Sequence, residues 1–181
     1  AMTGLAPRCD LLCIAPHTDD AEIGLGGALR LLADRGHRVW VCDLTRGELA
    51  SNATPDERWQ EAVRANEVLG LTGRLQLDLP DGFVDAADPA QAAAVTAVIR
   101  ALRPRWIAVA PEPVRHPDHL ATPALVQRAA FLAHLASFAA ASPPARRWPA
   151  SAAVQDAQDP WRAEAVLEVC PEHAQPSLIF D

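Results

Sequence analysis

The strongest constraint on this chain is the order in which its apolar residues occur. Short apolar runs alternate with longer stretches of helical spacing along most of its length. Leu11 to Ala15 reads as a buried strand, stopped by Pro16. Ala21 to Arg35 then places Ile23, Leu29 and Leu32 at helical spacing and ends before Gly36, a natural helix-terminating residue. The unit recurs as strand Val39 to Leu44, helix Pro55 to Gly70, strand Leu75 to Leu79, helix Pro89 to Leu102, strand Arg105 to Ala110 and helix Pro123 to Ala141. Ala165 to Cys170 and Ser177 to Phe180 read as two further strands. Continuous apolar strands separated by helices predict a parallel sheet covered on both sides. The expected fold is α/β: a Rossmann-like, doubly wound, mostly parallel sheet with helices on both faces. Such folds bind ligands outside the carboxyl ends of their strands, here the loops after Ala15, Leu44, Leu79 and Ala110.

Composition narrows the chemistry. The chain has 181 residues, half of them apolar, and a net charge of −7, which suits one domain over residues 1–181. There is no internal repeat, and 142–160 reads as an irregular excursion rich in Pro and Ala. All 16 basic residues are Arg, and there is no Tyr. Without Lys there is no Schiff-base chemistry, no P-loop and no kinase-type phosphate contact; without Tyr there is no phenolic nucleophile or acid. The acidic balance argues against a nucleic-acid partner, since Arg146–Arg147 is the one adjacent basic pair. No apolar run reaches the ~18–20 residues of a membrane span. The N-terminus lacks a signal-peptide pattern, and Ala1 before Met2 reads as the remnant of a removed tag. The four cysteines form no C-x-x-C pair, and Cys13 and Cys42 lie in apolar runs, so a reduced, cytoplasmic setting is expected.

Two clusters carry chemistry. The first strand runs into His17-Thr18-Asp19-Asp20, and the strand ending at Ala110 leads into His116-Pro117-Asp118-His119. His and Asp are ligands for zinc and similar divalent ions. His17, Asp20 and one of His116 or His119 would supply three protein ligands and leave a position for water. Of two adjacent carboxylates, one can bind metal while the other serves as base; the plainer reading of Asp19 and Asp20 is a pair of helix caps. His37, His134 and His173 read as surface or packing residues. Gly24-Leu25-Gly26-Gly27 lies inside a helical pattern and reads as close helix packing, not as a dinucleotide loop. No G-x-S-x-G supports a Ser nucleophile.

The run Ala15-Pro16-His17-Thr18-Asp19-Asp20-Ala21-Glu22-Ile23-Gly24 resembles the signature of the LmbE/PIG-L family of zinc-dependent N-acetylglucosaminyl deacetylases. Thr45-Arg46-Gly47-Glu48, Glu57-Arg58 with Glu61-Ala62 and Leu69-Gly70, and His116-Pro117-Asp118-His119 match further family blocks in order. Pro176 to Asp181 is similar to a later family strand. Thr18 stands where the signature usually has Pro, and family members generally continue beyond the point matching Asp181, so the domain is expected to lack the family's C-terminal elements.

The resemblance implies that His17, Asp20 and His119 bind Zn²⁺, with Fe²⁺ as the alternative metal. It implies that Asp19 is the general base for a zinc-bound water attacking the N-acetyl amide, and that His116 stabilises the oxyanion. It implies an amino-sugar substrate, with a bacillithiol-type conjugate slightly favoured, and leaves a homo-oligomer open. Arg58, Arg46, Glu48 and Arg115 are substrate-side candidates, although a buried Arg46–Glu48 pair holding the loop explains those two equally well. Some family members carry a Tyr two residues before the first His of the last block; here Val114 stands there, so oxyanion stabilisation falls to the metal and His116, helped by Arg58 or Arg115. The competing readings are a different metal-dependent amidohydrolase or phosphoesterase, and an inactive metal-binding relative. The two clusters supply few ligands for a two-metal phosphoesterase.

Overall fold

The structure is a computed structural model that describes residues 8–110, 116–140, 146–150 and 159–169. Its strands are β1 (Cys9–Ala15), β2 (Val39–Thr45), β3 (Gly73–Leu79), β4 (Pro104–Val109), β5 (Arg146–Trp148) and β6 (Ala165–Glu168). Four helices intervene: α1 (Asp20–Asp34), α2 (Pro55–Leu69), α3 (Pro89–Leu102) and α4 (Pro117–Ala133). The sheet order is β5-β3-β2-β1-β4-β6, and every pairing is parallel except β3 with β5.

Alternate residues of the central strands feed two separate cores, as a period of two requires. Leu12 and Ile14 join Cys42, Leu75, Val95, Ile99 and Leu125 on the side of α3 and α4. Leu11, Cys13 and Ala15 join Ala21, Leu29 and Val41 on the side of α1. The sheet is thus covered on both faces, as the strand pattern predicts. Burial pushes the Cys9, Cys13 and Cys42 thiols well above the ordinary range, in keeping with cysteines that act as small apolar side chains. From β1 the chain adds β2 and β3 on one side, then crosses to place β4 on the other. The loops after β1 and β4 therefore diverge at the switch point where such sheets bind ligands.

Two elements and one packing expectation differ from the sequence pattern. Helix α4 runs from Pro117 to Ala133, not from Pro123 to Ala141, because His116 occupies its N-cap and accepts the Asp118 amide, and His134 forms its C-cap. Both prolines suit a first turn, and Pro123 sits instead inside the helix, where it cannot donate to the carbonyl of His119. The excursion over 142–160 contains β5, a three-residue antiparallel edge strand beside Arg74, Leu75 and Gln76. Close packing does not account for Gly26 and Gly27, since a Cβ on either would meet nothing within 4 Å. Cys170, His173 and the segment Pro176 to Asp181 lie outside the described residues.

One buried cation ties the layers together. Arg74 of β3 is fully buried and pairs bidentately with Asp43 of β2, both contacts at 2.6 Å. The same guanidinium reaches Glu22 in the first turn of α1 and Asn66 of α2. Burial opposes the Arg74 charge, but Asp43 and Glu22 hold its pKa above the usual arginine value. Arg74→Met is expected to leave Asp43 buried without a counter-charge and to lower the unfolding free energy by about 3–5 kcal/mol, read by urea titration.

Candidate active site

The site grows from the end of β1. His17 follows the strand, and its ring lies between three carboxylates contributed by other elements. Nδ1 is 3.2 Å from Asp20 Oδ2; Nε2 is 3.1 Å from both Asp81 Oδ1 and Asp118 Oδ2. His119, in the first turn of α4, brings its Nε2 to 3.2 Å from the same Asp20 Oδ2. His17, His116 and His119 form a triangle with ring centroids 4.6, 5.3 and 5.8 Å apart. Two clusters separated by about a hundred residues thus meet, because β1 and β4 are neighbours in the sheet.

Burial disfavours a charge on His17, but the hydrogen bond and charge of Asp20, with Asp81 and Asp118 behind them, raise its pKa to about 9. Burial alone would raise Asp20; hydrogen bonds from His119 and His17 hold it well below the usual carboxylate range. A pocket that draws a histidine to its cationic form is one whose negative field a divalent ion would neutralise. The donor set also fits by distance: two ligands ~2.0–2.1 Å from a tetrahedral zinc lie about 3.3 Å apart, and both histidines are 3.2 Å from Asp20 Oδ2. His17, Asp20 and His119 could hold such an ion.

Asp19 is arranged differently. It occupies the N-cap position of α1, yet its side chain makes no capping hydrogen bond, so the plain capping role does not account for it. Its backbone is held at φ 123°, a costly conformation for a residue with a Cβ. Its carboxylate is 54% exposed and accepts from Arg58 Nη2 at 3.1 Å. Partial burial raises its pKa above the ordinary value against the pull of Arg58. Asp19, His17, Arg58, Asp81 and His116 line an open cavity of about 190 Å³, together with Leu49. His116 accepts the Asp118 amide on Nδ1 at 3.3 Å, which leaves Nε2 as the ring's donor.

The other expected residues divide. Arg58 lies in the cavity wall, placed by the first turn of α2, whose capping box joins Thr54 and Glu57. Arg46 and Glu48 do not pair with each other in the way the sequence suggested: Arg46 reaches Asp78 at 3.6 Å, and Glu48 accepts the Asp81 amide at 2.9 Å. Arg115 lies outside the described residues. His37 follows α1, and His134 sits at the C-cap of α4.

Asp81 and Asp118 are the residues that sequence reasoning missed. Asp81 lies in Pro80-Asp81-Gly82, which reads as a turn, but that turn follows β3 at the carboxyl edge of the sheet, and this position is the signal that could have found it. Asp118 is fully buried and accepts the amides of Gly82 at 2.8 Å and Val84 at 3.0 Å, besides facing His17. Asp118→Ala is expected to strand those two amides and cost about 2–4 kcal/mol of stability, measured by chemical denaturation.

Residues 12–130 match the family described as PIG-L, GlcNAc-PI de-N-acetylase, and the chain belongs to that family. It is 36% identical over 120 residues to a diacetylchitobiose deacetylase of Thermococcus kodakarensis, covering 60% of this chain and 44% of that protein. It is 30% identical over 163 residues to a 1D-myo-inositol 2-acetamido-2-deoxy-alpha-D-glucopyranoside deacetylase of Kineococcus radiotolerans, covering 68% and 45%. It is 31% identical over 131 residues to a probable N-acetyl-alpha-D-glucosaminyl L-malate deacetylase of Bacillus cereus, covering 66% and 60%. The chain thus spans about half the length of the curated relatives it matches. Among solved structures it is similar to a conserved protein of Thermus thermophilus, with TM-score 0.74 and 36% identity over 93% of this chain and 69% of that one. No helix among the described residues is long and apolar enough to cross a membrane.

Proposed function

We propose that this chain hydrolyses the N-acetyl group of an N-acetylglucosaminyl small-molecule conjugate, releasing acetate and a primary amine. The observation that carries this reading is the convergence of His17 Nδ1 and His119 Nε2 on Asp20 Oδ2, beside an Asp19 carboxylate that neither caps its helix nor joins that donor set. The three relatives support the substrate class: their named substrates differ in what is attached to the sugar but share an acetylated amino sugar. An N-acetylglucosaminyl malate, the bacillithiol-type substrate, is the first compound to assay.

His17, Asp20 and His119 would hold the metal, Zn²⁺ or Fe²⁺. Such an ion supplies Lewis acidity, polarising the amide carbonyl and lowering the pKa of water. Asp19 takes the proton from the attacking water and passes it to the departing nitrogen as the C–N bond breaks. His116 donates Nε2–H to the oxygen that gains charge in the tetrahedral intermediate. Asp81 and Asp118 hold the far side of the His17 ring, which orients Nδ1 towards Asp20. Arg58 bears on Asp19 rather than directly on a sugar hydroxyl.

Metal-loaded protein is expected to release primary amine and acetate from at least one member of a panel of N-acetylglucosaminyl conjugates; a panel with no amine release overturns the reading. Asp19→Asn is expected to lower kcat about 10²–10⁴-fold while metal content, measured by elemental analysis, stays at the wild-type level. His119→Ala is expected to lose both metal and activity.

A second reading has one observation in its favour. His17, Asp81, His116 and Asp118 form a further donor group, so ligands for a second ion are more numerous than the sequence suggested. Against it, Asp118 and Asp81 already accept backbone amides from Gly82, Val84 and Leu49. Two tightly bound ions per chain, with phosphoester cleavage, would favour a two-metal hydrolase; one ion with amide cleavage favours the deacetylase.

A further inference from the structure

Arg58 stands where a cation could serve either the substrate or the base, and its surroundings decide between them. Its guanidinium makes three bonds within the site: Nε to Thr18 Oγ1 at 3.0 Å, Nη2 to the Thr18 carbonyl at 2.7 Å, and Nη2 to Asp19 Oδ2 at 3.1 Å. Thr18 is 3% exposed, so its hydroxyl meets the guanidinium away from water. On the other side the group passes under Gly47, where a Cβ would lie 3.0 Å from Nε and the backbone φ of 65° already favours glycine. Arg58 thus lies between the 190 Å³ cavity and a smaller one of about 140 Å³ lined by Glu22, Glu61 and Ala65.

We propose that Thr18 is a positioning residue, whose hydroxyl locks the Arg58 guanidinium and through it sets the direction of the Asp19 carboxylate. An arginine side chain is long, and one contact to a half-exposed carboxylate would leave both groups free to swing. Two bonds into a buried threonine turn the planar guanidinium into a fixed fork. Asp19 needs such a guide because it has no capping bond and sits on a strained backbone. The Thr18 hydroxyl is what supplies the acceptor for Nε.

The kinetic part of the test rests on the deacetylase reading, and the spectroscopic part does not. Thr18→Val removes the hydroxyl with little change of shape, and Thr18→Ser keeps it. With a substrate that the wild type cleaves, Thr18→Val is expected to lower kcat about tenfold with KM changed less than about twofold, the loss of one hydrogen bond to a charged group. Thr18→Ser is expected to stay within about twofold of wild type in both parameters. In ¹⁵N spectra the Arg58 Nε–H should exchange slowly in the wild type and in Thr18→Ser, and should lose protection in Thr18→Val. A KM increase at unchanged kcat would assign Arg58 to ground-state substrate binding and overturn the proposal. So would a fast-exchanging Arg58 Nε–H in the wild-type protein, a result that needs no variant to fold. If no substrate is cleaved, the function reading fails while the exchange measurement still decides the lock.

Discussion

A neutral imidazole offers one donor and one acceptor, so carboxylates placed against both ring nitrogens need a cation between them. His17 is in that position, with Asp20 on Nδ1 and Asp81 and Asp118 on Nε2. Much of the site follows from satisfying this ring. Asp118 reaches it only because α4 begins at Pro117. Asp81 reaches it because Glu48 takes its amide and Leu49 donates to its carboxylate. The loops after β1, β2 and β3 and the start of α4 are in this way tied to one side chain. A divalent ion shared by His17, Asp20 and His119 would supply positive charge among these carboxylates.

The site depends in turn on a second buried charge. Arg74 joins β3 to β2 through Asp43 and to the first turn of α1 through Glu22, three residues after Asp19. A backbone at φ 123° persists only where its surroundings over-determine it. Arg74 holds the helix start from the sheet side, and Arg58 holds Thr18 and Asp19 from α2. With the Asp43 and Glu22 carboxylates close by, the guanidinium is bound as a planar, multidentate donor, a task for which lysine would be a poor substitute. In a chain without lysine, both cations that organise the site are arginines.

The sheet was legible from sequence because its central strands β1, β2 and β4 are mostly apolar on both faces, a pattern that few other folds need. The two His/Asp clusters were legible because both follow such strands. Asp81 was not, since Pro-Asp-Gly is ordinary turn chemistry and the residue's importance lies in facing a ring 64 positions away. Asp118 was visible between two histidines but had no role until its buried carboxylate was seen to accept two loop amides. The start of α4 was misplaced because two prolines compete for one signal, and the His116 cap that settles it involves a side chain rarely read as a cap. Three-residue β5 has too few residues to show any period.

Sequence alone determined the layered α/β plan, the exclusion of lysine and tyrosine chemistry, and the residue types available for a metal. These follow from local composition and from periods of two and 3.6, which each segment carries by itself. Tertiary structure decided how the residues divide their work: Asp20 turned to two histidines, Asp19 left facing Arg58, Glu48 holding Asp81 and Arg46 turned away to Asp78. The physical reason is that a carboxylate's role depends on which donors lie within about 3 Å of it. Those donors come from loops and helix starts that the neighbouring strands bring together, His119 across about a hundred residues of chain from Asp20.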